Sequence, residues 1–199
     1  MLEASHHPRL SLHEYNQQTI NLNHLPVEGW ILDIGGGGEG VIGQLMGNKV
    51  IAIDRSRREL EEAPAGGLKI VMDATDLQFL DGTFSAVTVF YCLMYIPHES
   101  HAAVLRQAYR VLMPGGSLYL WDVNISEIVD KSKDGFAVPL KIRLPDREIL
   151  TGYGARWPRE SHDLNYYSNL CKQVGFEIIT GEHNGLNLSL IARKGTPRD

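Results

Sequence analysis

Short apolar runs alternate with helical stretches along most of this chain, and that alternation restricts its fold more than any other feature. Runs at 30–34 (WILDI), 49–54 (KVIAID), 68–73 (LKIVMD), 85–91 (SAVTVFY) and 117–123 (SLYLWDV) read as buried strands. EGVIGQLMG (39–47), RRELEEA (57–63) and HESHAAVLRQAYRVL (98–112) read as helices, the last with Ala102, Leu105, Tyr109 and Leu112 on one face. Strands joined through helices form βαβ units, because parallel neighbours need a crossover. After a helix over DLNYYSNLCKQVG, the runs FEIIT and LNLSLIAR are separated only by GEHNG, so they pair antiparallel. The expected fold is α/β: a seven-stranded, mostly parallel sheet with an antiparallel C-terminal strand and helices on both faces. At 199 residues and 43% hydrophobic content, one domain spans 1–199.

Two segments stand outside the alternation. SLHEYNQQTINL (11–22) looks helical and makes 1–25 an N-terminal helical cap. Residues 124–161 contain AVPLKIRL, with Val138, Leu140, Ile142 and Leu144 on one side, then PD and REILTGY. That pattern reads as an inserted β-hairpin, and Pro139 places its first strand at a sheet edge. The apolar face must be buried, either over the mouth of a site or against a second copy of the chain. Residues 136–153 are thus a candidate homodimer surface, separable from the core.

The net charge of −5 and pI near 5.9 do not favour a polyanionic partner, so no nucleic acid is expected. The longest apolar run, AVTVFYCLMYI, is too short for a membrane span, and the first residues carry no apolar signal region. Cys92 and Cys171 are far apart, which implies a reduced, cytoplasmic protein without disulfide or zinc spacing.

The stretch WILDIGGGGEGVIGQL places glycines at a strand-to-helix turn. Gly35, Gly37 and Gly40 spell G-x-G-x-x-G. Such a turn lets a ligand approach the backbone at Gly35, Gly36 and Gly37, and the helix start can face an anion. The anion is a pyrophosphate in a dinucleotide enzyme, or the carboxylate of S-adenosylmethionine (SAM) in a methyltransferase. Asp54 closes the second strand, where a carboxylate can accept both ribose hydroxyls of either cofactor. Arg55 could hold a 2′-phosphate, or simply begin a charged helix. Asp33, two residues before the first glycine, is less usual for a dinucleotide fold, and could receive the ammonium of a methionine moiety or cap the turn.

At MDATDLQFLDGTFSAV (72–87) and VLRQAYRVLMPGGSLYLWDV (104–123) the chain resembles the class I SAM-dependent methyltransferases, in particular their small-molecule, methyltransferase-11-like branch. The likeness is dense over 30–123 and loose over 162–193. It implies a Rossmann-like fold, SAM as cofactor with S-adenosylhomocysteine (SAH) as product, and a small-molecule acceptor. It also implies that Asp73 and Ala74 read the adenine, through a carboxylate and a backbone N–H. By the same likeness Tyr15, on the N-terminal segment, is a candidate lid over the cofactor. The chain departs from the family's pattern at Gln78 (usually proline), Ser85 (aspartate), Met113 (lysine) and Glu39 (glycine). Glu39 is expected to point away from the cofactor's carboxylate, which would repel it.

Methyl transfer is an in-line displacement, and a base is needed only if the nucleophile arrives protonated. Tyr91 and Met94 follow the fourth strand at the ligand edge of the sheet, Tyr91 as a cofactor contact. Tyr95 and Asp122 are the candidate catalytic residues, each with a packing or turn-capping role as the alternative. His98 reads as a helix-start residue. His98 and His101 have helical ligand spacing, but nothing in the sequence adds a third ligand, so no metal is expected. Two other functions stay open: an NAD(P)-dependent oxidoreductase, for which no hydride-transfer partner is visible, and a SAM-binding protein without transfer activity.

Overall fold

The computed structural model describes residues 10–196. Eleven strands and four α-helices alternate in it. In chain order the strands are β1 (Leu12–Glu14), β2 (Gln18–Asn21), β3 (Ile31–Ile34), β4 (Val50–Asp54), β5 (Leu68–Val71), β6 (Phe84–Phe90), β7 (Leu112–Val123), β8 (Gly135–Arg143), β9 (Glu148–Arg156), β10 (Phe176–Asn184) and β11 (Asn187–Lys194). The helices are α1 (Val41–Met46), α2 (Arg57–Glu62), α3 (His98–Val111) and α4 (Leu164–Val174).

Seven strands form the main sheet in the order β10-β11-β7-β6-β3-β4-β5. The five from β5 to β7 are mutually parallel, and β11 runs antiparallel to both β7 and β10. Strand parity splits the core in two. Leu32, Val87, Leu118 and their neighbours pack under Leu105, Ala108 and Val111 of α3 and Tyr167 and Cys171 of α4. On the other face Ile31, Val50 and Ala86 pack with Val41, Ile42 and Leu45 of α1 and Leu60 of α2.

The second face also carries a small sheet. In it β8 is central, with β9 antiparallel on one side and β1 and β2 parallel on the other. Phe136, Val138, Leu140 and Ile142 of β8 are almost fully buried in the same cluster as α1. The alternating face of the hairpin is therefore covered within the chain, not by a second copy.

Two expectations change here. Where SLHEYNQQTINL was expected to be a helical cap, 11–22 contains two short strands; residues 1–9 of the expected cap lie outside the described part. The bonding groups along β8 offer this segment a partner, and Ile20 and Leu22 are buried against it, so tertiary pairing overrides local preference. Nor is β8 an edge strand. The Tyr15 N–H donates to the Ala137 carbonyl at 2.9 Å, and β2 starts opposite Leu140. Residues of equal parity bond on the same side, so Pro139, which has no N–H, faces the gap between β1 and β2. The proline sits where the ladder is interrupted, which removes the objection to a central strand.

Candidate active site

A cavity of about 980 Å³ opens at the C-terminal ends of β3, β4 and β6, roofed by β9. Such a crevice is where α/β sheets bind ligands. One end is polar and formed by strand ends and the glycine turn. The other is aromatic, with Phe90, Tyr91, Tyr95 and Tyr153.

The turn is shaped largely by packing. A Cβ on Gly36 would lie 2.5 Å from Asp33 Oδ2, and one on Gly37 would lie 2.5 Å from Glu59 Cβ and 2.9 Å from Asp54 Oδ2. Small residues let α2 close on the turn and let the Asp54 carboxylate hang over it. The N–H groups of Gly35 and Gly36 donate to Ile53, that of Gly38 to Glu59 and that of Gly40 to Gly37. These four donors hold the turn's shape rather than a ligand.

Asp54 and Asp73 each keep an oxygen for a ligand. Asp54 Oδ1 accepts the Ser56 N–H at 2.8 Å. Asp73 Oδ1 accepts the Thr75 N–H at 2.8 Å and the Thr75 hydroxyl at 2.7 Å, and those bonds hold its pKa below the usual carboxylate value. Both carboxylates line the cavity, as do Gly35, Gly37, Arg55, Ala74, Tyr91 and Tyr95.

Other expected residues lie elsewhere. Asp33 is buried beneath Gly36, where its carboxylate accepts the Thr88 hydroxyl at 2.7 Å, and burial pushes its pKa up to about 7. It supports the turn from below. Asp122 is wholly buried and accepts the N–H groups of Val123 at 2.8 Å and Met94 at 3.2 Å. Its pKa is also raised to about 7 by burial, and it anchors the 93–95 turn from behind rather than facing a substrate. Tyr15 packs on Phe136 and Trp157 in the small sheet, away from the residues that line the cavity.

Two groupings are not visible in the sequence: the partners of Glu39, which was expected to point away from a cofactor carboxylate, and the companion of His98 and His101. Glu39 does line the cavity, and its carboxylate accepts hydrogen bonds from the Thr151 hydroxyl and, at 2.9 Å, from the Tyr153 hydroxyl. The glycine turn is thereby tied to the β9 roof. The roof residues had a signal, since Ile149, Thr151 and Tyr153 alternate along REILTGY and face one way. Tyr153 also stacks on Tyr91, with ring centroids 5.1 Å apart. Tyr91 is held at φ 48°, a left-handed conformation that costs a non-glycine residue about 1–3 kcal/mol. The second group is His162, which joins His98 and His101 outside the cavity; no metal ligand was expected to complete that pair.

The cavity's charge separates the two cofactor readings. Among the described residues, five carboxylates line it (Glu39, Asp54, Glu59, Glu62 and Asp73), against one guanidinium, Arg55. That field favours a cationic ligand and opposes a pyrophosphate. The comparisons agree. Residues 32–120 match the family model described as a methyltransferase domain. That stretch, somewhat under half of the chain, is similar to methyltransferase domains.

The Methanosarcina mazei SAM-dependent methyltransferase superposes with a TM-score of 0.65 at 21% identity, over 88% of this chain and 100% of its own. A SAM-dependent methyltransferase from Mesorhizobium loti gives 0.61 at 17% identity, over 85% and 94%. A Haemonchus contortus phosphoethanolamine N-methyltransferase, solved with SAM, gives 0.61 at 16%, over 86% of this chain and 50% of its own. A search of curated protein sequences gives no significant match. A sulfonium cofactor such as SAM suits the site. SAM is a sulfonium, the lining is acidic, and strand-end carboxylates stand ready for hydroxyl and amine donors. Among the described residues, no helix is long and apolar enough to cross a membrane.

Proposed function

We propose that the protein transfers the methyl group of SAM to a small acceptor held at the aromatic end of the cavity. The observation that carries this reading is the continuity of one cavity from Asp54 and Asp73 to Tyr91, Tyr95 and Tyr153. Its volume lies at the upper end of the range for small-ligand sites, which leaves space for a small acceptor beside the cofactor. Bound SAM supplies an electrophilic methyl group, and the chain's task is alignment. In this reading Asp54 takes the ribose hydroxyls, while Asp73 and the Ala74 N–H take the adenine. Glu39 is held by Thr151 and Tyr153, so closing the roof and shaping the glycine turn are one event.

Tyr95 acts as a donor rather than a base. A phenol keeps its proton at neutral pH. Its oxygen already receives the Gly154 N–H at 3.2 Å, which leaves its own O–H to orient an acceptor. With Asp122 buried behind Met94, the acceptor brings its own lone pair, as an amine does. Free thiols at Cys92 and Cys171 suit a reducing, cytoplasmic setting.

The test is transfer of labelled methyl from SAM to a panel of small amines, thiols and phenols, followed by SAH formation. Amines should turn over with a pH dependence that follows the acceptor's own pKa. Turnover confined to phenols, with a break near pH 7, would instead restore a protein base. Saturable SAM binding with no turnover would favour the non-transferring alternative.

A further inference from the structure

Three histidines converge on the side of α3 that faces the start of α4. His98 and His101 come from the first turn of α3, and His162 from the segment before α4. One ring nitrogen from each lies within 4.8 Å of the others. His98 Nδ1 and His162 Nε2 are 3.2 Å apart. A tetrahedral metal with bonds of about 2.0–2.1 Å holds its ligand nitrogens about 3.3 Å apart, so this pair is already spaced for one.

Hydrogen bonds at the far side of the His101 ring, and a carboxylate close to the far side of the His98 ring, bear on which nitrogens carry lone pairs. His101 Nε2 lies 2.9 Å from the Leu93 carbonyl and 3.0 Å from the Ile96 carbonyl. Both are acceptors only, so Nε2 carries the proton and Nδ1 presents the lone pair. His98 Nε2 lies 3.2 Å from a Glu160 carboxylate oxygen, which favours a proton on that nitrogen and a lone pair on Nδ1. A ligand ring that donates its other N–H to a carbonyl or carboxylate is the usual outer support of a metal-bound imidazole. The Tyr166 hydroxyl now lies 2.9 Å from His101 Nδ1 and would have to turn aside. His98 is about a third exposed, which gives entry and the freedom to close the remaining gap, while His101 and His162 are buried.

We propose that His98 Nδ1, His101 Nδ1 and His162 Nε2 bind one first-row divalent cation of the Zn²⁺ type. Three neutral imidazoles suit zinc, cobalt, nickel or copper and do not suit the oxygen-seeking Mg²⁺ or Ca²⁺. The site is separate from the methyl-transfer cavity and does not depend on that reading. It clamps 160–163 to α3 and backs the 93–96 carbonyls, behind the turn that carries Tyr95.

Chelator-treated protein should be titrated with Zn²⁺ by calorimetry and with Co²⁺ by visible absorption, with Mg²⁺ as control. His6 and His7 are adjacent in the sequence and could bind metal themselves, so the background is the His6→Ala/His7→Ala variant. We expect one equivalent of Zn²⁺, a rise in melting temperature, an intense tetrahedral Co²⁺ spectrum, and no response to Mg²⁺. His98→Ala should lower Zn²⁺ affinity by at least the roughly 10–100-fold that losing an outer support costs. His98 is only partly buried, so that variant should fold, as its metal-free melting temperature will show. Tyr166→Phe should bind as tightly as the parent or more so, because the competing hydroxyl is gone. Absence of one-equivalent binding, an octahedral Co²⁺ spectrum, or unchanged affinity in His98→Ala would each overturn the site. Loss of binding in Tyr166→Phe would likewise overturn the ligand set.

Discussion

Replacing Asp54 by asparagine tests the cofactor end of the cavity with the least disturbance. The two carboxylate oxygens do different work. Oδ1 accepts the Ser56 N–H at 2.8 Å, a bond the amide oxygen of asparagine can also accept. Oδ2 lies over the glycine turn, 2.9 Å from where a Gly37 Cβ would be, on a residue that lines the cavity. In Asp54→Asn that position becomes an NH₂, which cannot accept from a ribose hydroxyl. The loss is one hydrogen bond to a charged group, about 1.5–3 kcal/mol, or about 10–150-fold in Kd. Because the Ser56 bond survives, ligand-free stability should change by no more than about 0.5 kcal/mol. Asp54→Ala should lose at least as much affinity and a further ~1 kcal/mol of stability, since it forfeits both bonds. Equilibrium dialysis with labelled SAM gives the affinities, and urea unfolding without ligand gives the stabilities. Wild-type affinity in Asp54→Asn would place the ribose elsewhere. A stability loss equal to the affinity loss would show that Asp54 only supports the turn.

Tyr153→Phe removes one of the two hydroxyls that hold Glu39 and should cost about 1 kcal/mol of stability, with weaker SAM binding; unchanged values in both measurements would mean that the roof and turn are not coupled. Leu140→Ala in the centre of β8 should cost about 2–5 kcal/mol by chemical unfolding, because that side chain is fully buried; a loss below 1 kcal/mol would mean the small sheet is a detachable flap. Asp33 has a folded pKa of about 7, above its unfolded value of 3.8. The folded state therefore binds more protons between those limits, and this carboxyl's contribution is present at low pH and lost as pH rises through about 7. Asp33→Asn should accordingly gain stability relative to the wild type between pH 4.5 and 7.5; parallel curves over that range would show that Asp33 is ionised throughout.

The main sheet was legible in the sequence because each of its strands is a short apolar run beside turn residues or a helix. The small sheet was half legible. Val138, Leu140 and Ile142 announced a buried face, but nothing local says what covers it, and a strand buried under its own domain has the same alternation as one under a partner. Pro139 argued for an edge because the break between β1 and β2 opposite it belongs to residues over a hundred positions away. The N-terminal strands were missed for the same reason, since 11–22 becomes extended only when β8 is there to pair with it.

At the site, parity decided what could be read. Asp54 ends its strand and reaches the cavity, whereas Asp33 lies one residue inside its strand and faces the core. A shift of one residue in where a strand stops reverses that outcome, and sequence alone does not fix strand ends so closely. Asp122 was misread in the same way. Glu39 was visible as a departure in the glycine turn, but its partners Thr151 and Tyr153 come from β9, far along the chain. His162 was likewise invisible as a companion of His98 and His101 until α3 and α4 were packed together.

Calorimetric titration of the wild-type protein with SAM, SAH, NAD and NADP, each in the same buffer, bears most directly on the central claim. If the acidic cavity takes a sulfonium cofactor, as proposed, SAM and SAH bind saturably at 1:1 and neither dinucleotide gives heat. Saturable binding of NADP with no response to SAM would contradict it, and would make Arg55 the residue that reads a 2′-phosphate.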